Sequence, residues 1–173
     1  MDTATPKLQG FTIIELLITL VIAGILATLA APSFVDTIKN NRMTTQYNDL
    51  LASLSLARSE AIKRGDNVTA CKAANPTTCG GNWHDGRIIF VDSNSDGVID
   101  AGEEIIRVYS PLSGSNTLSF ARNRVTYSSN GLATGFTGTF TLCDDRPISK
   151  GLIVSNTGRV RHAIPADVLA ACP

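Results

Sequence analysis

The order of apolar and polar residues predicts a long helix at the start of the chain. Residues 11–31 carry one charge, Glu15, and as a helix they would cross the roughly 30 Å hydrocarbon core of a bilayer. Farther on, apolar residues recur at three- and four-residue steps, which predicts that the helix continues to Arg64 and ends at Gly65. The predicted apolar face consists of Tyr47, Leu50, Leu51, Leu54, Ala57, Ala61 and Ile62.

After Gly65 the pattern changes to short runs of β-branched residues that are separated by Gly, Asn, Ser and Pro, which is typical of strands and turns. The predicted fold class is therefore α+β, with the long helix packed on an antiparallel sheet. The predicted strands are residues 67–71, 87–91, 104–109, 117–120, 124–128, 137–142, 150–154 and 159–163.

The overall charge gives no general reason to expect a nucleic-acid partner. Lys and Arg together number 15, as do Asp and Glu, so any such role must rest on local clustering. His84 and His162 are far apart in sequence, and we find no glycine-rich loop that would hold a phosphate. We therefore predict that the protein is not an enzyme and needs no cofactor.

The segment Gly10-Phe11-Thr12-Ile13-Ile14-Glu15 joins a short polar leader to the apolar run. It resembles the class III signal of type IV pilins and type II secretion pseudopilins. The resemblance implies that a prepilin peptidase cuts between Gly10 and Phe11 and methylates the new N-terminus. It divides the chain into a leader (1–10), a transmembrane and filament-core helix (11–38) and a globular pilin head (39–173), which includes the second half of the helix.

The resemblance also implies partners and a location. The protein would sit in the inner membrane as a single-pass precursor, and then join other major and minor pilins in a periplasmic or extracellular pilus. A lone carboxylate in hydrocarbon requires a partner, and the α-amino group of a neighbouring subunit would provide one for Glu15. This predicts an assembly role for Glu15. The alternative is a simple membrane anchor in which Glu15 lies near one end and has no function.

Four cysteines lie in the part of the chain that would be exported, so two disulfides are expected, with three possible pairings. We favour Cys71–Cys79, which closes a short loop, and Cys143–Cys172, which ties the end of the chain to a strand. A metal site is the rival, although neither a Cys-x-x-Cys spacing nor a cluster with histidine supports it.

Residues 92–103 fit the twelve-position calcium loop of EF-hands, with Gly97 at its sharp turn. The flanks, however, are predicted strands, and Asp-Gly and Asn-Ser also form ordinary hairpin turns. We favour a bare turn without metal, and calcium remains a weaker alternative. The oxygen ligands would be Asp92, Asn94, Asp96, the carbonyl of Val98, Asp100 and Glu103.

The segment around this loop resembles the hairpin signature of the FimT/GspH group of minor pilins. The residues that carry the resemblance are Trp83, Gly86, Phe90, Asp92, Asp96, Gly97, Gly102, Glu103 and Arg107. Farther along, Gly158-Arg159-Val160-Arg161 resembles the DNA-binding motif of FimT-type minor pilins that act in natural transformation.

Both arginines would point to one face of a strand, where each guanidinium can bind a phosphate through two hydrogen bonds. Arg146 and Lys150 add to this basic stretch, and no acid occurs from 146 to 166. The alternative is a solvated edge strand whose charges prevent aggregation.

These observations predict a minor type IV pilin that binds double-stranded DNA without sequence preference for uptake. The DNA-binding residues would be Gly158, Arg159, Arg161, Lys150 and Arg146. The alternative functions are a pilus-priming minor pilin or a type II secretion pseudopilin without DNA binding, and a calcium-dependent assembly module that uses residues 92–103.

Mass spectrometry of protein from cells with an active prepilin peptidase should find N-methyl-Phe11 as the first residue. Glu15→Ala should leave this cleavage intact and impair assembly, since the carboxylate aligns subunits. An intact Met1 leader in those cells would contradict the prediction.

Overall fold

A computed structural model describes residues 10–164 and Cys172. Its single helix, α1, spans Ile13–Arg64. Thr12 caps the start, because its Oγ1 accepts a hydrogen bond from Glu15 N at 3.3 Å, and Glu15 lies in the first turn, where a negative charge is favourable. Gly65, with φ +68°, ends the helix. Apart from Gly10, the predicted leader lies outside the described residues.

The chain divides into two compact units, residues 1–40 and 41–173. In the first unit, large apolar side chains are exposed along α1, among them Ile14, Leu17, Val21 and Ile25. Within the described part of the chain, we find no helix that combines the length and the apolar character needed to cross a membrane.

The second unit contains two four-stranded antiparallel sheets among its described residues, ordered β3-β2-β1-β5 and β4-β6-β7-β8. The strands are β1 (Val68–Lys72), β2 (Arg87–Val91), β3 (Ile105–Tyr109), β4 (Thr117–Ser119), β5 (Arg124–Tyr127), β6 (Gly138–Cys143), β7 (Ser149–Val154) and β8 (Val160–His162). Each predicted strand is present, and the α+β prediction is confirmed. The strands pair in two separate groups, a division that the sequence analysis does not state.

Both sheets pack on one face of α1 and share a single apolar core. The fully buried helix residues Leu54, Ala57 and Ala61 lie in this core with Met43, Tyr47 and Leu50. The first sheet contributes Val68, Ala70, Ile89, Val125 and Tyr127, and the second contributes Leu118, Phe140, Leu142, Leu152 and Val154. The prediction for Ile62 is wrong, because 53% of this residue is exposed at the margin of the face.

An ion pair between a buried arginine and a half-exposed aspartate joins α1 to the first sheet. Arg87 on β2 is only 1% exposed, donates from Nε to Ser53 Oγ at 2.9 Å, and pairs through Nη2 with the carboxylate of Asp49. Its guanidinium also lies 4.2 Å from the ring centroid of Tyr109. Burial lowers the pKa of Arg87, and the charge of Asp49 opposes this shift. The pair therefore fixes the helix against the middle of this sheet.

Two disulfides are present, Cys71–Cys79 and Cys143–Cys172. They are the pairs that the sequence analysis favours. The first joins the end of β1 to the loop that follows it. The second joins the end of β6 to Cys172, close to the C-terminus.

Replacement of Leu54 with Ala should lower the free energy of unfolding by about 2–5 kcal/mol, because it opens a cavity in the shared core. Ile62→Ala on the same helix is the matched control and should cost less than half as much, since Ile62 is largely exposed. Denaturant unfolding of the full chain in detergent, followed by the fluorescence of Trp83, would measure both. Equal losses would contradict this description of the core.

Candidate nucleic-acid interface

The two arginines of the predicted motif lie at an edge of the second sheet. β8 pairs only with β7 among the described strands, so it is an edge strand of this sheet. Val160 packs against the core and His162 stacks on Tyr47, with ring centroids 5.4 Å apart. Because side chains alternate along a strand, Arg159 and Arg161 point to the opposite, outer face, and both are exposed.

A tight turn positions Arg159 directly before β8. Gly158 N donates to Ser155 O at 2.9 Å, and Ser155 N donates to Arg159 O at 3.1 Å. The Ser155 hydroxyl adds a hydrogen bond to the same Arg159 carbonyl at 3.0 Å. The backbone of Arg159 is therefore fixed, while its side chain extends from the turn.

Gly158 has a structural role in this turn. Its φ is +72°, it is buried, and a Cβ at this position would overlap the carbonyl oxygen of Gly131. Two turns from different parts of the chain thus touch backbone to backbone, and a residue without a side chain is required at the contact. The sequence assigned Gly158 to the DNA-binding motif, but its contacts show how it shapes the turn.

Arg58 on α1 is a further basic residue here, to which the sequence analysis assigned no role. Its Nε donates to Gly131 O at 3.1 Å and its Nη2 donates to Thr157 O at 3.3 Å, so it binds both turns. Together with Arg159 it lines a groove of about 340 Å³. The other lining residues described by the structure are Ser55, Ser59, Ile62, Gly158 and Val160, so the groove includes no acidic side chain from the described part of the chain.

Lys150 does not lie with the two arginines. It pairs with Leu142 in the register of β6 and β7, so its side chain is on the helix-facing side of the sheet. There its Nζ donates to Thr44 Oγ1 at 2.8 Å and lies 5.8 Å from the ring centroid of Tyr47. Tyr47 in turn bonds Nδ1 of His162. The prediction that Lys150 lies beside the two arginines is therefore corrected. Side chains alternate along a strand, so Lys150 points to the same face as the buried Leu152, two residues farther on.

Arg146 is in the connection between β6 and β7, where it forms an ion pair with Asp144. Its Nε donates to Asp144 Oδ2 at 2.9 Å, and its backbone N donates to Asp144 Oδ1 at 2.9 Å. Asp144 is buried. Its carboxylate neutralises the positive charge of Arg146, which the sequence analysis includes in the basic stretch. The structure therefore brings Arg159 and Arg58 together in the groove, with Arg161 two residues farther along the chain. Lys150 and Arg146 make their contacts elsewhere.

The connection between β2 and β3 is the only other cluster of charged residues to which the sequence assigned chemistry. Gly97 N donates to Asp92 Oδ2 at 3.1 Å, and Arg124 donates from Nη2 to Ser95 O at 3.1 Å. Across the described residues, no three His, Cys, Asp or Glu side chains are arranged so that they could hold a metal ion without moving.

Two crystal structures of the type IV minor pilin FimU from Pseudomonas aeruginosa have a similar fold. One has a TM-score of 0.61 over 78% of this chain and 98% of that structure, at 22% identity. The other has a TM-score of 0.55 over 73% and 96%, also at 22% identity. The fold is thus that of a type IV pilin.

Residues 46–158 match the family described as type II transport protein GspH, and residues 6–31 match the prokaryotic N-terminal methylation motif. Fimbrial protein Q of Moraxella bovis is 39% identical over 69 residues, which span 40% of this chain and 43% of that protein, less than half of its length. The chain belongs to the GspH family, and it carries the N-terminal methylation motif. The resemblance noted from the sequence is confirmed at this level, and the family is one of structural pilin components.

Gly158→Ala should destabilise the protein more than Gly65→Ala, although both positions have similar positive φ angles. An alanine in this conformation costs about 1–2 kcal/mol anywhere, and only at Gly158 must the backbone of Gly131 also move. Nothing lies within 4 Å of a Cβ at Gly65, which makes it the matched control. Free energies of unfolding would measure the difference, and equal values would show that the contact with Gly131 is unimportant.

Proposed function

We propose that this minor pilin captures double-stranded DNA without sequence preference, through Arg159 and Arg161, for uptake in natural transformation. The observation that carries the proposal is that both arginines are exposed residues, two positions apart at an edge strand. Their Cα atoms are two strand residues apart, about 6.7 Å, so the two can bind different phosphates of one DNA backbone. Phosphate contacts fix position and read no sequence.

Arg58 supports the same surface. It stands beside Arg159 in the groove, and two of its guanidinium hydrogens are already used by the backbone carbonyls of Gly131 and Thr157. Its charge therefore adds to the local positive potential, and its position does not depend on DNA. Lys150 and Arg146 would contribute only at longer range, because one faces the helix and the other is paired with Asp144.

The alternative is a priming minor pilin or secretion pseudopilin without a nucleic-acid role. The matches to the GspH family and to the fold of FimU favour this alternative as much as the first. In that case, Arg159 and Arg161 would only keep the exposed edge of β8 from pairing with other strands.

The rest of the pathway is also proposed. The precursor would reside in the inner membrane, lose residues 1–10 by cleavage after Gly10, and enter a pilus with other pilins. Residues 11–38 would form the filament core with Glu15 as the aligning group, and residues 39–173 would form the head. The match to the methylation motif over residues 6–31 supports this sequence of events.

Arg159→Gln and Arg161→Gln should each weaken binding of duplex DNA and flatten its salt dependence by about one unit, because each removes one phosphate contact. With two to four contacts, wild type should show a slope of about −2 to −4 and an affinity of about 10⁻⁴–10⁻⁶ M. Fluorescence anisotropy of a labelled duplex with the full chain in detergent would measure both quantities.

Arg107→Gln is the matched control, since it removes an exposed arginine from β3 in the other sheet. It should leave affinity and slope close to those of wild type. In cells, the double change Arg159→Gln with Arg161→Gln should abolish DNA uptake while pili still form. If the double variant binds duplex DNA as well as wild type does, the priming or pseudopilin function takes the place of DNA capture.

A further inference from the structure

The carboxylate of Asp92, directly after β2, is buried and incompletely paired. The residue is 0% exposed. Its Oδ2 accepts hydrogen bonds from Thr69 Oγ1 at 2.6 Å and from Gly97 N at 3.1 Å, whereas its Oδ1 is buried without a hydrogen-bond partner. A buried carboxylate with an unpaired oxygen is unfavourable, and in proteins such groups are paired or bind metals. Asp92 therefore lacks a positive partner at Oδ1.

Further oxygen atoms gather in the loop that Asp92 begins. The side-chain amide of Asn94 donates to Asp96 Oδ2 at 3.0 Å and to Asp100 Oδ2 at 3.1 Å. The positive end of one amide dipole thus stands between two carboxylates. The carboxylate of Glu103 accepts hydrogen bonds from Ser93 N at 3.2 Å and Asp100 N at 3.1 Å. From 92 to 103 the chain has four acids and no base.

Arg124 contacts this loop, and its hydrogen bonds to the loop are not made with the acidic side chains. Its guanidinium donates to the main-chain carbonyls of Ser95 and Asp96, not to a carboxylate. It holds the tip of the loop, where Ser95 and Gly97 have φ of +61° and +77°. The sharp turn that the calcium-loop pattern requires at Gly97 is therefore formed.

We propose that residues 92–103 bind a calcium ion, and that the ion supplies the charge missing at Asp92. Calcium takes six to eight oxygen ligands in flexible geometry, whereas magnesium requires a near-ideal octahedron and retains water. The ligands are Asp92, Asn94, Asp96, the Val98 carbonyl, Asp100 and Glu103. This site is independent of the proposed DNA surface, because it lies on the β2–β3 connection of the first sheet.

Binding requires only local changes. The Asn94 amide turns so that its oxygen faces the ion, which releases the Asp96 and Asp100 carboxylates. Glu103 leaves the amide of Ser93 and closes the loop from its far end. All of these side chains except Asp92 are at least partly exposed, so they can turn without disturbing the core. The buried Asp92, which is also bonded to Thr69 on β1, would connect the ion to the sheet.

The test is thermal unfolding of the full chain in detergent, followed by Trp83 fluorescence, during titration with calcium chloride or magnesium chloride after chelation. Extracellular calcium modules bind at about 10⁻⁴–10⁻³ M, so the melting temperature should rise by several degrees over that range with calcium. Magnesium at the same ionic strength should give a much smaller rise. An unchanged melting temperature in calcium would overturn the proposal.

Variants separate binding from general charge effects. Asp96→Asn and Glu103→Gln should each weaken calcium binding at least tenfold, while Asp85→Asn, with the same charge change outside the loop, should respond as wild type does. Asp92→Asn should be at least as stable as wild type in chelator and less stable in calcium, because it removes both the buried charge and a ligand. A wild-type calcium response in Asp96→Asn would also overturn the proposal, and this exposed position keeps the test valid if Asp92→Asn fails to fold.

Discussion

The packing of both sheets on one face of α1 is the interaction on which the head depends. The helix residues at its centre, Leu54, Ala57 and Ala61, are fully buried, and the two alanines let strands approach closely. The first sheet is further tied to the helix by Arg87 and Asp49. The second sheet carries the candidate DNA surface, whose turn is held to α1 by Arg58. Loss of the helix face would therefore disturb the core and this surface together.

Much of the fold could be predicted because its signals are local. Three- and four-residue spacing identified the buried helix face, and alternating or β-branched runs separated by turn residues identified every strand. The division into two sheets was missed, because pairing depends on contacts between distant parts of the chain. The pair of Arg87 and Asp49 is not predicted either, since a sequence does not distinguish a buried, paired arginine from one on the surface.

The candidate site was predicted only in part, for a comparable reason. Arg159 and Arg161 share a face because they are two residues apart on one strand, and spacing alone indicates this. Lys150 and Arg146 were grouped with them because they are close in sequence. Lys150 is two residues from the buried Leu152 on the same strand, which indicates that it points to the helix-facing side. The adjacent Asp144 lies just before the basic stretch, so its pairing with Arg146 was not considered. Arg58 comes from a helix and shows no local signal.

The contact between Gly158 and Gly131 changes how the Gly-Arg-x-Arg string should be used to recognise DNA-binding relatives. The glycine is required by the crossing of two turns, whether or not the protein ever meets DNA. Any homologue that keeps this crossing needs a glycine there, including one whose filament serves only secretion. The glycine thus reports on architecture, and within this string only the two arginines bear on the proposed binding of DNA.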